Sequence, residues 1–201
     1  MQDHIKTLGS CRLCPDMTGP PIIGSVAGSK IMSIGQAPGI HEKKFMKPFS
    51  WTAGRTLFKW LAEAGMSEDK FRERVNMSAV CRCFPGKSAG GDRKPSRQEI
   101  ENCEQYLRYE FEFNRPGLVI PIGRMAIDLF APDKKYKLDD VIGREFSGEK
   151  YGVDFTWIPL PHPSRLNAWN KTPKGRELIG RALKLIAENR TVQNTFFREN
   201  S

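Results

Sequence analysis

The sequence predicts an α/β fold, a three-layer sandwich in which a central four-stranded, mainly parallel sheet lies between helices. Three observations predict it. Short apolar runs of strand type recur along the chain, amphipathic helical patterns fill the intervals between them, and one run is apolar throughout, as a strand covered on both faces requires. The runs are 30–34, 75–81, 118–122 and 155–160, and Leu118-Val119-Ile120-Pro121-Ile122 is the continuous one. Among the helices, Leu57, Trp60, Leu61 and Ala64 follow i, i+3, i+4, i+7 spacing, and Ile179, Ala182, Leu183 and Ile186 repeat it. Pro95-Ser96 followed by Glu99 has the form of a helix start with a capping box, opening a helix to about Phe113. Residues 87–92, Lys-Ser-Ala-Gly-Gly-Asp, read as a loop. One domain is expected over 1–201, with a distinct N-terminal segment of about 1–30 and a basic C-terminal helix of about 173–190.

Composition narrows the function classes. A hydrophobic content of 39% is that of a globular chain rather than a disordered one. No apolar run approaches a membrane span, and the start, MQDHIKTLGSC, lacks the apolar centre of a signal peptide. A cytoplasmic, monomeric protein without membrane contact is therefore expected, and disulfides are not. The formal net charge of +9 favours a polyanionic partner, because counterion release drives basic proteins onto nucleic acid. Much of that charge lies late in the chain, where Arg165, Lys171, Lys174, Arg176, Arg181 and Lys184 stand against Glu177 alone. Such a face can track phosphates, and a solvated helix surface has the same composition.

Three motifs carry chemistry. The first is Ser33-Ile34-Gly35-Gln36-Ala37-Pro38-Gly39-Ile40-His41, at the end of the first strand. Gly35 and Gly39 allow close backbone approaches, and Pro38 stiffens the loop. This is the composition of a ligand cradle at the C-terminal edge of a parallel sheet. The second motif is the set of five cysteines, Cys11, Cys14, Cys81, Cys83 and Cys103. Cys11-Arg12-Leu13-Cys14 lets two thiolates grip one metal or cluster, and Cys81 or Cys83 with Cys103 would complete an all-sulfur set for zinc or an iron–sulfur cluster. The third is Pro161-His162-Pro163-Ser164-Arg165-Leu166-Asn167, directly after the last strand. Two prolines hold His162 at the same sheet edge as Gly35, where an imidazole can donate to charge developing on a leaving group.

GQAPG after the first strand, C-x-x-C before it, Cys-Phe-Pro followed by Arg-Lys-Pro and a Cys-bearing helix, and HPS after the last strand together resemble the uracil-DNA glycosylase superfamily. The resemblance runs from about Cys11 to Leu166 and is nearest to the iron–sulfur-containing family 4 and family 5 enzymes. It implies a 4Fe-4S cluster on Cys11, Cys14, Cys83 and Cys103, bound in part by the N-terminal segment of about 1–30. It implies hydrolysis of the N-glycosidic bond of uracil in single- or double-stranded DNA. On this resemblance Gly35, Gln36, Ala37, Pro38 and Gly39 wall the uracil pocket and position the attacking water, with a flipped nucleotide pressed against bare backbone. Phe49 stacks on the uracil, Ser78 reads its edge, and His162 with Ser164 contacts it as the base departs. Leu166 enters the space left by the base, and the basic composition of the same stretch, not the resemblance, makes Arg165, Lys171 and Lys174 the expected phosphate contacts.

The chain departs from the family pattern in two informative places. Gln36 stands where many family 4 members carry Glu, so it can orient water through its amide but cannot accept a proton. Ser78 stands where the branch often has Asn. Two alternatives follow: a covalent-capture relative, with His41 as its candidate nucleophile, or a non-enzymatic zinc or iron–sulfur nucleic-acid-binding module.

Overall fold

A computed structural model of the chain describes residues 1–197; the last four residues of the expected 1–201 domain lie outside the described residues. Helix α1 (Gln2–Gly9) precedes strand β1 (Ile31–Gly35). Helices α2 (Glu42–Phe45), α3 (Thr52–Glu63) and α4 (Glu68–Arg74) lead to β2 (Asn76–Ala79). A short hairpin, β3 (Lys87–Ser88) and β4 (Gly91–Asp92), precedes the long helix α5 (Arg97–Asn114) and β5 (Leu118–Pro121). After α6 (Arg124–Ile127) and α7 (Leu138–Val141) come β6 (Phe146–Lys150) and β7 (Val153–Trp157). A 3-10 turn (Ala168–Lys171), α8 (Pro173–Glu188) and α9 (Arg190–Val192) follow.

The main sheet has the order β2-β1-β5-β7-β6, with β2, β1, β5 and β7 parallel. These are the four strands the sequence predicts. The fifth, β6, is an antiparallel edge strand that the apolar pattern misses, because Phe-Ser-Gly-Glu-Lys is half exposed and has no apolar run. It joins β7 through Tyr151 and Gly152, whose φ values of 55° and 71° are those of a two-residue type I′ hairpin. That turn also starts β7 two residues earlier than the predicted 155–160. Residues 87–92 are likewise a β-hairpin, not a plain loop.

The helix of residues 97–114 starts as predicted. The Ser96 side chain accepts from the Glu99 amide, and the Glu99 side chain accepts from the Ser96 amide in return. One continuous hydrophobic core runs from β1 and β2 through Phe111 and Trp157 to Leu183 and Ile186. Helix α1 packs on α5, while α3 packs on α4 and α8.

One polar cluster interrupts that core. Glu110 on α5 is fully buried, and its two carboxylate oxygens gather four elements. Arg82 Nη2 donates to it at 2.6 Å, Asn76 Nδ2 on β2 at 3.1 Å and Ser25 Oγ at 2.7 Å. His4 Nε2 on α1 completes the set at 3.3 Å. Burial alone would push the Glu110 carboxyl up. The Arg82 charge and the hydrogen bonds from His4, Ser25 and Arg82 outweigh it and hold the group at about 2.

A carboxyl held below its ordinary 4.5 contributes stability that is complete above that value and disappears as pH falls toward about 2. Glu110→Gln should lack this acid-dependent component. It should also lower stability near neutrality by about 3–5 kcal/mol, because it strands a buried guanidinium. Urea unfolding of both proteins between pH 3 and pH 7, a range chosen to span the ordinary carboxylate region, checks both outcomes.

Candidate active site and thiol-lined cavity

From β1 the chain crosses to β2 on one side, and β5 then pairs with the opposite edge of β1. The C-terminal ends of β1 and β5 therefore flank a topological switch point, where open α/β sheets bind ligands. A cavity of about 460 Å³ opens there. It is lined by Gly35, Gln36, Ala37, Pro38 and Gly39 from the loop after β1, with Phe49, Ser78, His162, Ser164 and Leu166. Ten residues predicted from four separate stretches thus converge on one space. Arg165, Lys171 and Lys174 do not line it. Lys171 is exposed on the 3-10 turn, and Lys174 pairs with Glu177 at 3.1 Å.

The loop after β1 is pinned at both ends. Gly35 and Gln36 carbonyls accept from Val80 and Cys81 amides, extending the β1–β2 ladder into the loop. At the other end Glu42 accepts from the Gly39 amide at 2.8 Å and the Ser50 amide at 3.2 Å. Burial raises the Glu42 carboxyl above its ordinary value despite these backbone bonds. Sequence reasoning missed Glu42. The available signal was a Glu three residues past a loop glycine, the reach-back spacing of a capping box.

Phe49 adopts a left-handed φ of 51°, which costs a non-glycine residue energy and persists only when its surroundings hold it. Here they do. Arg72 donates to the Pro48 carbonyl at 2.8 Å and to the Phe49 carbonyl at 3.3 Å. Gly54 on α3 leaves room for that carbonyl, since a Cβ there would sit 1.6 Å from the Phe49 oxygen. The Phe49 ring in turn lies against Gly35, where a Cβ would come within 3.1 Å of it. The bareness of Gly35 therefore accommodates the Phe49 ring.

His162 is fixed through its backbone: Asn167 and Asn170 side-chain amides donate to its carbonyl at 3.2 and 3.0 Å. Its ring is open to the cavity, yet the surrounding protein mass lowers its pKa below the ordinary value, with Asp92 acting in the opposite sense. Burial thus favours the neutral imidazole. Ser164 Oγ accepts from the Leu166 amide at 3.1 Å and closes a turn that leaves Leu166 91% exposed at the cavity rim. Ser78 Oγ accepts from Arg82 at 2.5 Å, so its own hydroxyl proton is left to donate. The nearby Asn76 amide is engaged by Glu110 and by the Val26 amide instead. His41 lines the cavity but packs against Trp51 in a tilted pair with ring centres 4.5 Å apart. The β3–β4 hairpin adds Lys87 and Asp92 to the lining, which the loop reading of 87–92 missed.

A second cavity, of about 230 Å³, is lined by Cys11, Cys14, Cys83 and Cys103, with Arg82 beside them. Cys81 is buried in the core and outside this lining. Among the described residues no three His, Cys, Asp or Glu side chains converge on a single-ion site. Four thiolates on one zinc would stand about 3.8 Å apart, from a Zn–S bond of about 2.3 Å in a tetrahedron. Four thiols lining one cavity are a donor set that suits an all-sulfur group such as an iron–sulfur cluster. Burial pushes the Cys14 thiol up and the Cys83 thiol up to about 12, so cationic iron would have to draw off their protons. Arg82, which borders this cavity, has its Nη1 buried without a hydrogen-bond partner among the described residues.

A sequence model of the Uracil DNA glycosylase superfamily matches residues 21–186. The chain belongs to this superfamily. It is 30% identical over 172 residues to the type-4 uracil-DNA glycosylase of Archaeoglobus fulgidus, covering 82% of this chain and 81% of that one. It is 31% identical over 199 residues to the type-4 enzyme of Sulfurisphaera tokodaii (94% and 82%) and 27% over 169 residues to that of Thermotoga maritima (83% and 81%). These similarities place it in the family 4 branch. The whole lining of the larger cavity falls inside the superfamily match, whereas Cys11 and Cys14 precede it.

In this superfamily member, Gly54→Ala should displace the Phe49 backbone. Stability should fall by about 1–3 kcal/mol in urea unfolding. Gly90→Ala, where nothing lies within 4 Å, should change it by less than about 0.5 kcal/mol.

Proposed function

We propose that the protein is a uracil-DNA glycosylase that extrudes uracil from DNA and hydrolyses its N-glycosidic bond, leaving an abasic site. The observation that carries this reading is the convergence of the 35–39 loop, Phe49, Ser78 and His162 on one cavity in a chain of this superfamily. Extruding a base costs a few kcal/mol, offset by contacts made once it is out of the stack. Phe49 supplies a stacking face on a backbone already strained into place, while Ala37 and Pro38 wall the pocket. The Ser78 hydroxyl, with its oxygen held by Arg82, donates to a uracil carbonyl, and Ser164 borders the same pocket. Leu166, exposed at the rim, fills the gap left in the duplex or strand, and Arg165, Lys171 and Lys174 contact backbone phosphates.

Bond cleavage sends the C1′–N1 electron pair onto uracil. Neutral His162 donates to O2 as negative charge gathers there. The Gln36 amide orients the water whose oxygen bonds to C1′. The substrate is uracil-containing DNA, and the protein acts as a cytoplasmic monomer. Cys11, Cys14, Cys83 and Cys103 hold a 4Fe-4S cluster, which when bound supplies a covalent tie between the N-terminal segment, the chain after β2 and α5. The thiol-lined cavity and the unpartnered Arg82 Nη1 support that assignment.

Alkali cleavage of uracil-containing oligonucleotides after incubation with the protein tests the activity. Under single turnover, His162→Ala should slow excision by about 10²–10³-fold, more than Gln36→Ala, with DNA binding kept by backbone contacts. A larger loss at Gln36 would show that water positioning, not anion stabilisation, governs the rate. Iron content separates the cysteines: Cys83→Ser should lose iron and Cys81→Ser should retain it.

A further inference from the structure

We propose that Asp92, on the β3–β4 hairpin, is the catalytic carboxylate of this site, an inference that rests on the glycosylase reading. Hydrolysis through a sugar cation places positive charge near C1′ and requires the attacking water to lose a proton. Gln36 can orient that water but cannot take the proton. Two carboxylates line the cavity, Glu42 and Asp92. Both Glu42 oxygens are committed to the Gly39 and Ser50 amides, and the side chain is buried. Asp92 differs. Its Oδ1 is held by Lys87 Nζ at 2.6 Å, while Oδ2 has no hydrogen-bond partner among the described residues. That free oxygen is the nearest atom to the open side of Gly39, 3.8 Å from where a Cβ would stand. Its charge also reaches His162 across the cavity.

The hairpin register places Lys87 opposite Asp92, so the lysine orients the carboxylate without occupying both oxygens. In the step assigned to it, the C1′–N1 bond breaks and its electron pair leaves on uracil. The water oxygen bonds to C1′, and the water proton passes to Asp92 Oδ2. That proton then returns to solvent or to the uracil anion. A carboxylate at this rim opposes phosphate binding, so its cost in affinity and its contribution to rate carry opposite signs.

Opposite signs make the test decisive. Free uracil released in a single turnover and affinity for abasic-site DNA at low salt are measured for wild type, Asp92→Asn and Asp92→Glu. Asp92→Asn should release uracil on the order of 10²-fold more slowly, the usual contribution of a positioned base. It should bind abasic DNA as tightly as wild type or more tightly, and Asp92→Glu should recover much of the rate. An Asp92→Asn rate close to wild type overturns the inference, and so does a parallel loss of rate and affinity, which a collapsed hairpin would give. Wild-type protein that releases no uracil would instead refute the glycosylase reading beneath it.

Discussion

A single buried carboxylate holds together parts of this chain that are far apart in sequence. Glu110 sits in the middle of α5 and accepts from His4 on α1, Ser25 before β1, Asn76 on β2 and Arg82 after β2. Buried charge is costly unless paired and hydrogen-bonded, so each of these donors is required where it is. Arg82 extends the network in two directions. One guanidinium nitrogen holds Ser78 at the larger cavity, and the residue also borders the thiol-lined cavity. The larger cavity and the thiol-lined cavity therefore share one ionic anchor.

The larger cavity depends on a second constraint, the way its walls are forced together. Glu42 ties the loop after β1 to the segment carrying Phe49, while Arg72 and Gly54 fix the Phe49 backbone in a left-handed conformation. The Phe49 ring then closes on Gly35. Each contact is local, yet together they fix the aromatic ring against the wall of the cavity before anything binds there. Preorganisation of this kind is how an enzyme avoids losing binding energy to reorganisation.

The parallel strands were legible because a strand covered on both faces must be apolar throughout, and β5 is. The cap of α5 was legible because Ser96 and Glu99 satisfy amides that the helix itself cannot. Strand β6 was not, since an edge strand can be half polar and still pair. The β3–β4 hairpin was invisible for a similar reason: two exposed residues a side, joined through Ala-Gly, carry no period. The site loops could be read because glycine and proline limit what a backbone can do. Glu42, Arg82 and Asp92 could not, because charged residues in sequence resemble surface charges. Only the fold reveals that Glu42 and Arg82 are buried and that Asp92 faces a cavity.

The Arg82–Glu110 pair links α1 and the thiol-lined cavity to Ser78 in the wall of the larger cavity. Amide hydrogen exchange in Glu110→Gln tests it most directly, because exchange reads local opening segment by segment. Coupling predicts faster exchange than in wild type both across α1 (Gln2–Gly9) and across residues 76–82, with residues of the β6–β7 hairpin unchanged. Faster exchange on only one side of Glu110, or a uniform rise over the whole chain, would show that the pair does not couple the two sides.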